Sequence, residues 1–106
     1  MTGYTVLYEA RHIEAGLIEH VKLGHVTDLD TYPSGVRYSM HIGTLDGTTL
    51  LRYDNAHEAT RGHDRHTPTD ETTIDFPGLE PLLVRFYATA DVYWGEADAD
   101  GPDRPY

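Results

Sequence analysis

Histidine and arginine concentrate in one short stretch of this sequence, residues 51–67. The stretch holds three of the seven histidines and three of the eight Lys and Arg residues. Within it, Gly62 precedes residues 63–66, which read His-Asp-Arg-His, and we expect residues 62–66 to form a short loop. An imidazole titrates near pH ~6.5, so two of them can act as general base and general acid in RNA transesterification. We therefore expect the chemistry of the protein to lie in this stretch.

The hypothesis gives each of these side chains a role. His63 and His66 would transfer the protons, one from a ribose 2′-hydroxyl and one to the departing 5′-oxygen. Arg65 and Arg52 would hold the non-bridging phosphate oxygens as negative charge develops on them. The predicted substrate-binding residues around them are Tyr53, Asp54, Asn55, Arg37 and Arg61.

Two alternatives use the same stretch. His57, His63 and His66, with Asp54 or Asp64, would supply enough ligands for zinc or another transition metal. Their spacing matches no standard zinc motif, so we rank this site below acid–base chemistry and predict no metal and no cofactor. The other alternative is a non-catalytic protein-interaction module, in which the histidines are only part of a solvated interface.

The composition limits the partners of the protein. Its formal net charge is −10, with 18 acidic residues against 8 Lys and Arg residues, of which only Lys22 is a lysine. An acidic surface so poor in lysine is typical of a salt-rich cytoplasm, and we predict a halophilic, haloarchaeal origin. The field of such a chain repels nucleic acid in general. At molar salt, however, the field is screened over ~3 Å, so a local site can still bind RNA.

Length and residue types place the chain among small, single-domain proteins. Its 106 residues suffice for one modest core. The sequence has no cysteine, which excludes disulfides and thiolate chemistry. We find no signal-peptide pattern, and no apolar run approaches the ~20 residues of a membrane span, so we predict a cytoplasmic protein without a membrane partner.

Two strands are predicted in the first quarter of the chain. Residues 4–13 and 17–26 are rich in aromatic and β-branched side chains, and a turn at 14–16 separates them. Alternation predicts that one side of the first strand carries Tyr4, Val6, Tyr8 and Ala10, although Leu7 interrupts the pattern.

Two further strands follow a loop at 27–35. Residues 36–43 alternate strictly between apolar and polar side chains, as a half-buried strand does. Asp46 and Gly47 then form the strongest short-range hairpin signal, which predicts a fourth strand at 48–53. Because the connections between the four strands are short, we expect an antiparallel meander.

An amphipathic helix is predicted near the C-terminus. From Leu79 onward, apolar residues recur every three or four positions, at Leu82, Leu83, Phe86, Ala90 and Tyr93. Pro81 is tolerated only in a first turn, so the helix is expected to start near Gly78 or Leu79. The predicted fold class is α+β, with a sheet of about four strands packed against this helix. We assign the domain to 1–94 and expect an acidic, disordered tail at 95–106.

These segments, in this order, resemble the TumE-like family of toxins from toxin–antitoxin systems. The resemblance covers roughly residues 6–94. The matching motifs are Val36-Arg37-Tyr38-Ser39, Leu51-Arg52-Tyr53-Asp54-Asn55, Gly62-His63-Asp64-Arg65-His66 and Leu82-Leu83-x-x-Phe86. The family typically has Gly-Asp-His-Arg-His in the third motif, so the Asp and the first His are exchanged here. The connection at 56–61 is also longer than is typical.

The resemblance implies a small cytoplasmic toxin that a cognate antitoxin protein neutralises by direct binding, as in a type II system. RNA cleavage, by contrast, is our inference from the histidines and arginines of residues 51–67. Because an exposed sheet edge invites pairing, we also predict that the protein is able to form a homodimer.

Overall fold

Six strands and two helices follow one another in a computed structural model, which describes residues 3–104. They are β1 (Tyr4–Glu14), β2 (Leu17–Val26), β3 (Val36–Thr44), β4 (Thr49–Asp54), α1 (Glu58–Arg61), β5 (His63–His66), β6 (Glu71–Ile74) and α2 (Leu79–Glu96). The strands form one antiparallel sheet in the order β1-β2-β3-β4-β5-β6. The predicted α+β class with a C-terminal helix is confirmed, and the sheet is a meander.

The prediction of about four strands was wrong, because β5 and β6 complete a sheet of six. The four predicted strands lie within one residue of β1 to β4 at each end. β5 and β6 are only four residues long and carry mostly polar side chains, so neither has the apolar alternation that indicates a strand. A tight turn joins them, in which the Thr67 amide donates to the Asp70 carbonyl at 2.8 Å.

A β-bulge changes the orientation of the first residues of β1. Val6 pairs with Gly24, whereas Tyr8 pairs with Leu23, so one extra residue, Leu7, is inserted between them. Tyr8 consequently faces the helix, where its hydroxyl lies 2.8 Å from that of Tyr87. The prediction that Tyr4 and Val6 share a side with Tyr8 was therefore wrong.

The core lies between α2 and one face of the sheet. Leu82, Leu83, Phe86 and Ala90 of the predicted stripe are buried, as are Tyr87 and Trp94, and they pack against apolar residues of β2, β3 and β4. Tyr93, the last residue of the predicted stripe, is only partly buried. Fully burying each large apolar side chain stabilises the fold by ~1.5–3 kcal/mol, so this layer dominates the stability.

The C-terminal segment returns along the helix. α2 continues through Glu96, and Ala97 and Ala99 pack against the core beyond it. Arg104 reaches Glu19 of β2 and Asp91 of α2 with its guanidinium. Residues 105 and 106 of the predicted tail, and residues 1 and 2 of the predicted domain, lie outside the described residues. Within 3–104, no helix has the length and apolar character needed to cross a membrane.

Candidate functional site

One face of the sheet carries the helix, and the opposite face, here called the open face, is polar. The alternation of the strands produces this division, because residues between core positions must point away from α2. On β3, for example, Tyr38, Met40 and Ile42 are buried, while the intervening Ser39 and His41 are only partly buried. Paired strands continue the pattern, because Arg52 of β4 lies opposite His41.

A cleft of about 530 Å³ opens on this face, between the sheet and the segment 54–62 that contains α1. We call it the open-face cleft. It is lined by Tyr4, Lys22, Arg37, Tyr38, Ser39, Arg52, Asp54, Ala56, His57, Arg61, Asp64 and His66. Seven of the predicted or alternative site residues thus meet in one place: Arg37, Arg52, Asp54, His57, Arg61, Asp64 and His66.

The charge of this cleft is opposite to that of the whole chain. Four Lys and Arg residues and two carboxylates line it, so half of the eight cationic residues of a chain of net charge −10 are gathered here. Arg37 is exposed, whereas Arg61 is bound to Glu71 and lies 3.9 Å from Asp64. An excess of cations in a concave site focuses the electrostatic potential and attracts anions.

His66 lies at the centre of the predicted chemistry and on the open face. It pairs with Arg52 across β4 and β5. Its Nε2 is 3.5 Å from Asp54 Oδ2, and its Nδ1 is 3.8 Å from Glu71 Oε2. A carboxylate oxygen thus lies on each side of the ring, and the ring lines the cleft, where it can exchange a proton with a bound ligand.

His63 lies on the other face of the sheet. The prediction that residues 62–66 form a loop was wrong, because residues 63–66 are β5 and pair with both β4 and β6. Along a strand, residues three apart point to opposite faces. His63 therefore stacks on Phe76 at 4.3 Å between ring centroids, while His66 lines the cleft. One bound phosphate cannot contact both imidazoles.

Burial keeps His63 neutral and bound within the fold. Desolvation lowers the pKa of His63, against the opposing effect of Glu58. Desolvation also raises the pKa of Tyr38, so the Tyr38 hydroxyl stays protonated. It donates a hydrogen bond to Nδ1 of His63 at 2.8 Å. The ring proton of His63 is then on Nε2, 3.8 Å from Glu58 Oε1.

Arg65 and Tyr53 lie on the helix side as well. They face each other across β4 and β5. Tyr53 is 4% exposed and its ring meets Phe86 edge to face at 6.4 Å, so its hydroxyl does not line the open-face cleft. Among the predicted catalytic residues, His66 and Arg52 meet in the cleft, and His63 and Arg65 do not.

Asn55 does not line the cleft but stabilises it from the interior of the protein. Its side chain is fully buried, and its Oδ1 accepts from the Tyr38 amide at 2.9 Å. Its Nδ2 donates to the Val36 carbonyl at 2.8 Å and to Glu58 Oε2 at 2.7 Å. These bonds attach the segment after β4 to the start of β3, where Arg37 projects into the cleft.

Asn55→Ala is expected to destabilise the protein by ~2–5 kcal/mol, because two buried backbone groups would lose their partners at ~1–3 kcal/mol each. The free energy of unfolding from chemical denaturation measures this loss. Ser39→Ala on the neighbouring strand β3 is the matched control and should change stability by less than ~0.5 kcal/mol. A loss equal to that of the control would show that the bonds of Asn55 contribute nothing to stability.

Asp64 joins Asp54 and His66 in a group that has the chemistry of a metal site. One possible ligand atom from each of the three lies within 4.8 Å of the others, and among the described residues no other set of three forms such a group. His57 and His63 of the predicted metal alternative are outside it. Asp64 is 3% exposed, and Arg61 at 3.9 Å is its ion-pair partner.

Five residues of the cleft were not among the predicted site residues: Tyr4, Lys22, Tyr38, Ser39 and Ala56. Lys22 and Ser39 lie opposite each other on β2 and β3, between core positions. Their place in the alternation was available as a signal, because the predicted strands already put both on the polar side. Tyr4 gave no such signal, since the bulge at Leu7 determines its side.

Comparison with known protein families matches residues 7–92 to the family described as Toxin TumE. A search among curated proteins and a search among solved structures find no match. The matched residues include β2 to β6, most of β1 and α2, and every residue lining the open-face cleft except Tyr4. The chain therefore belongs to the toxin TumE family, and its role is that of a toxin.

Proposed function

We propose that this toxin cleaves RNA in the open-face cleft. The observation that carries the proposal is that Lys22, Arg37, Arg52 and Arg61 line one cleft together with His66, in a chain whose net charge is −10. A phosphodiester backbone is the polymer that such a cluster of cations would bind. A titratable imidazole beside the bound phosphate supplies a group for proton transfer.

The proposed reaction needs no metal. His66 takes the proton of a ribose 2′-hydroxyl, and the 2′-oxygen attacks the neighbouring phosphorus while the bond to the 5′-oxygen breaks. Arg52, directly across from His66, holds the non-bridging oxygens. The other imidazole lining the cleft is His57, and we assign to it the proton that the departing 5′-oxygen receives. His63 and Arg65, on the helix side, take no part.

Purified protein in a chelating buffer is expected to cleave RNA into products with 2′,3′-cyclic phosphate and 5′-hydroxyl ends. Arg52→Ala should slow this cleavage by about 10²-fold, because the charge that develops on phosphate loses a donor. Arg85→Ala on the exposed surface of α2 removes the same charge outside the cleft and should not slow it. No cleavage under any ionic condition would refute the proposal.

A second candidate is metal-assisted cleavage at the same place, favoured by the group of Asp54, Asp64 and His66. Carboxylate ligands suit Mg²⁺ or Mn²⁺ and an imidazole suits Zn²⁺, and an ion held here would activate water or hold the phosphate. The same assay separates the candidates. Cleavage that a chelator abolishes and an added divalent ion restores would favour the metal.

We further infer a type II system, in which a cognate antitoxin protein inhibits this toxin by covering the open-face cleft. An acidic segment of the antitoxin would be attracted by the same cations that bind phosphate. A homodimer through the edge strand β1, a cytoplasmic location and a haloarchaeal origin also stand as proposals. They rest on the exposed edge and on the acidic composition of the chain.

A further inference from the structure

The bulge in β1 places an aromatic ring on the open face. Tyr4 pairs with Val26 and Val6 with Gly24, so both project on the side opposite to Tyr8 and the core. A bulge often has this effect, because one inserted residue reverses the direction of all side chains on one side of it. Tyr4 consequently lines the open-face cleft, at the end away from β5.

The ring of Tyr4 lies against a bare stretch of backbone. Gly24 has no side chain, and a Cβ built there would be 2.7 Å from Tyr4 Cε2 and 2.9 Å from Tyr4 Cζ. Gly24 thus leaves the space that the ring occupies on the sheet. Tyr4 is nevertheless 38% exposed. The ring is supported from below and still presents surface to a ligand in the cleft.

Two cations lie over the same ring. Lys22 Nζ is 5.5 Å from the ring centroid and Arg37 Cζ is 5.7 Å from it. Arg37 Cζ is also 5.7 Å from the ring centroid of Tyr32. Aromatic rings interleaved with cations are what proteins use to hold single-stranded nucleic acid, since bases stack on the rings while phosphates meet the charges.

We propose that Tyr4 is a stacking site for a nucleobase of single-stranded RNA, with the flanking phosphates on Lys22 and Arg37. The inference rests on the proposed function and gives its substrate class. The strand would run from Tyr4 across β2 and β3 towards Arg52 and His66, all of which line the one cleft. Duplex RNA is excluded, because its bases are already stacked on one another and cannot lie on the ring.

The test is the binding of a 2′-O-methyl oligonucleotide, which lacks the 2′-hydroxyl that the proposed reaction needs and so stays intact. Tyr4→Leu should weaken the binding of the single strand about 5-fold to 140-fold, from a stacking contribution of ~1–3 kcal/mol per base. Tyr4→Phe keeps the ring and should bind as the wild type does. The wild type should bind the single strand more tightly than the same sequence as a duplex.

The outcomes distinguish a failure of the stacking site from a failure of the proposed function. Equal affinity of the wild type and Tyr4→Leu, or equal affinity of the wild type for single strand and duplex, would overturn the stacking site and leave cleavage in the cleft intact. A wild type that binds neither form would count against the proposed function itself. The comparison of single strand with duplex uses the unmodified chain, so it holds even if Tyr4→Leu fails to fold.

Discussion

His66→Ala is expected to abolish growth inhibition and to lower RNA cleavage by ~10²–10⁴-fold, the usual contribution of a positioned proton-transfer group. His63→Phe, in contrast, is expected to keep cleavage within a few-fold of the wild type. In the wild type the rings of His63 and Phe76 stack with a centroid distance of 4.3 Å, and a phenylalanine at position 63 retains this stacking. It loses the bond to the Tyr38 hydroxyl, so we expect a loss of ~1–3 kcal/mol in unfolding free energy.

The two variants together distinguish the positions of the two histidines. The measurements are cleavage by purified protein, growth on induction without the antitoxin, and binding of the antitoxin, which both variants should retain. If His63→Phe lost activity as fully as His66→Ala at a temperature where both are folded, the two imidazoles would have to act as a pair. If neither variant reduced toxicity, the protein would be a non-catalytic interaction module.

The separation of these histidines was not predictable from their local sequence. The strands β1 to β4 follow from aromatic and β-branched residues and from alternation, which act locally. β5 has no such pattern and is a strand only because it pairs with β4 on one side and β6 on the other. If residues 62–66 formed a loop, the side chains of His63 and His66 could converge on one site. In a strand, successive side chains point to opposite faces, so residues three apart cannot converge.

The same distinction explains which of the predicted residues line the open-face cleft. Arg37, Arg52 and Asp54 lie on predicted strands, and their polar character places them on the open face. Tyr53 was assigned to substrate although its alternation with Leu51 already indicated the core. Asn55 lies in the interior instead, because it forms hydrogen bonds to residues 17 and 19 positions away in sequence as well as to nearby Glu58, and no local pattern indicates such contacts.

The C-terminal segment provides the largest expected effect on stability. Glu19, only 2% exposed, accepts hydrogen bonds from Trp94 Nε1 at 3.1 Å and from Arg104 Nη2 at 2.7 Å. The Arg104 guanidinium also lies 3.8 Å from the ring centroid of Tyr87 and binds Asp91. The acidic composition of residues 95–106 predicted a disordered tail. Composition contains no information about the buried carboxylate of Glu19 on β2, which requires a cation, so it could not indicate the contact with Arg104.

Arg104→Ala is therefore expected to cost ~3–5 kcal/mol in the free energy of unfolding, because it leaves the Glu19 charge buried without its partner. A disordered tail would give a change within ~0.5 kcal/mol, as should the exposed Arg85→Ala on α2.

Adding Glu19→Gln to Arg104→Ala removes the unpaired charge and keeps an acceptor for Trp94, so the double variant should be more stable than Arg104→Ala alone. Chemical denaturation of the wild type, Arg104→Ala, Glu19→Gln and the double variant measures the coupling between the two residues. Losses of the two single variants that add up to the loss of the double variant would contradict this coupling. Because Glu19 is buried and the Arg104 side chain is only 13% exposed, their contribution should persist at molar salt, where exposed ion pairs are screened.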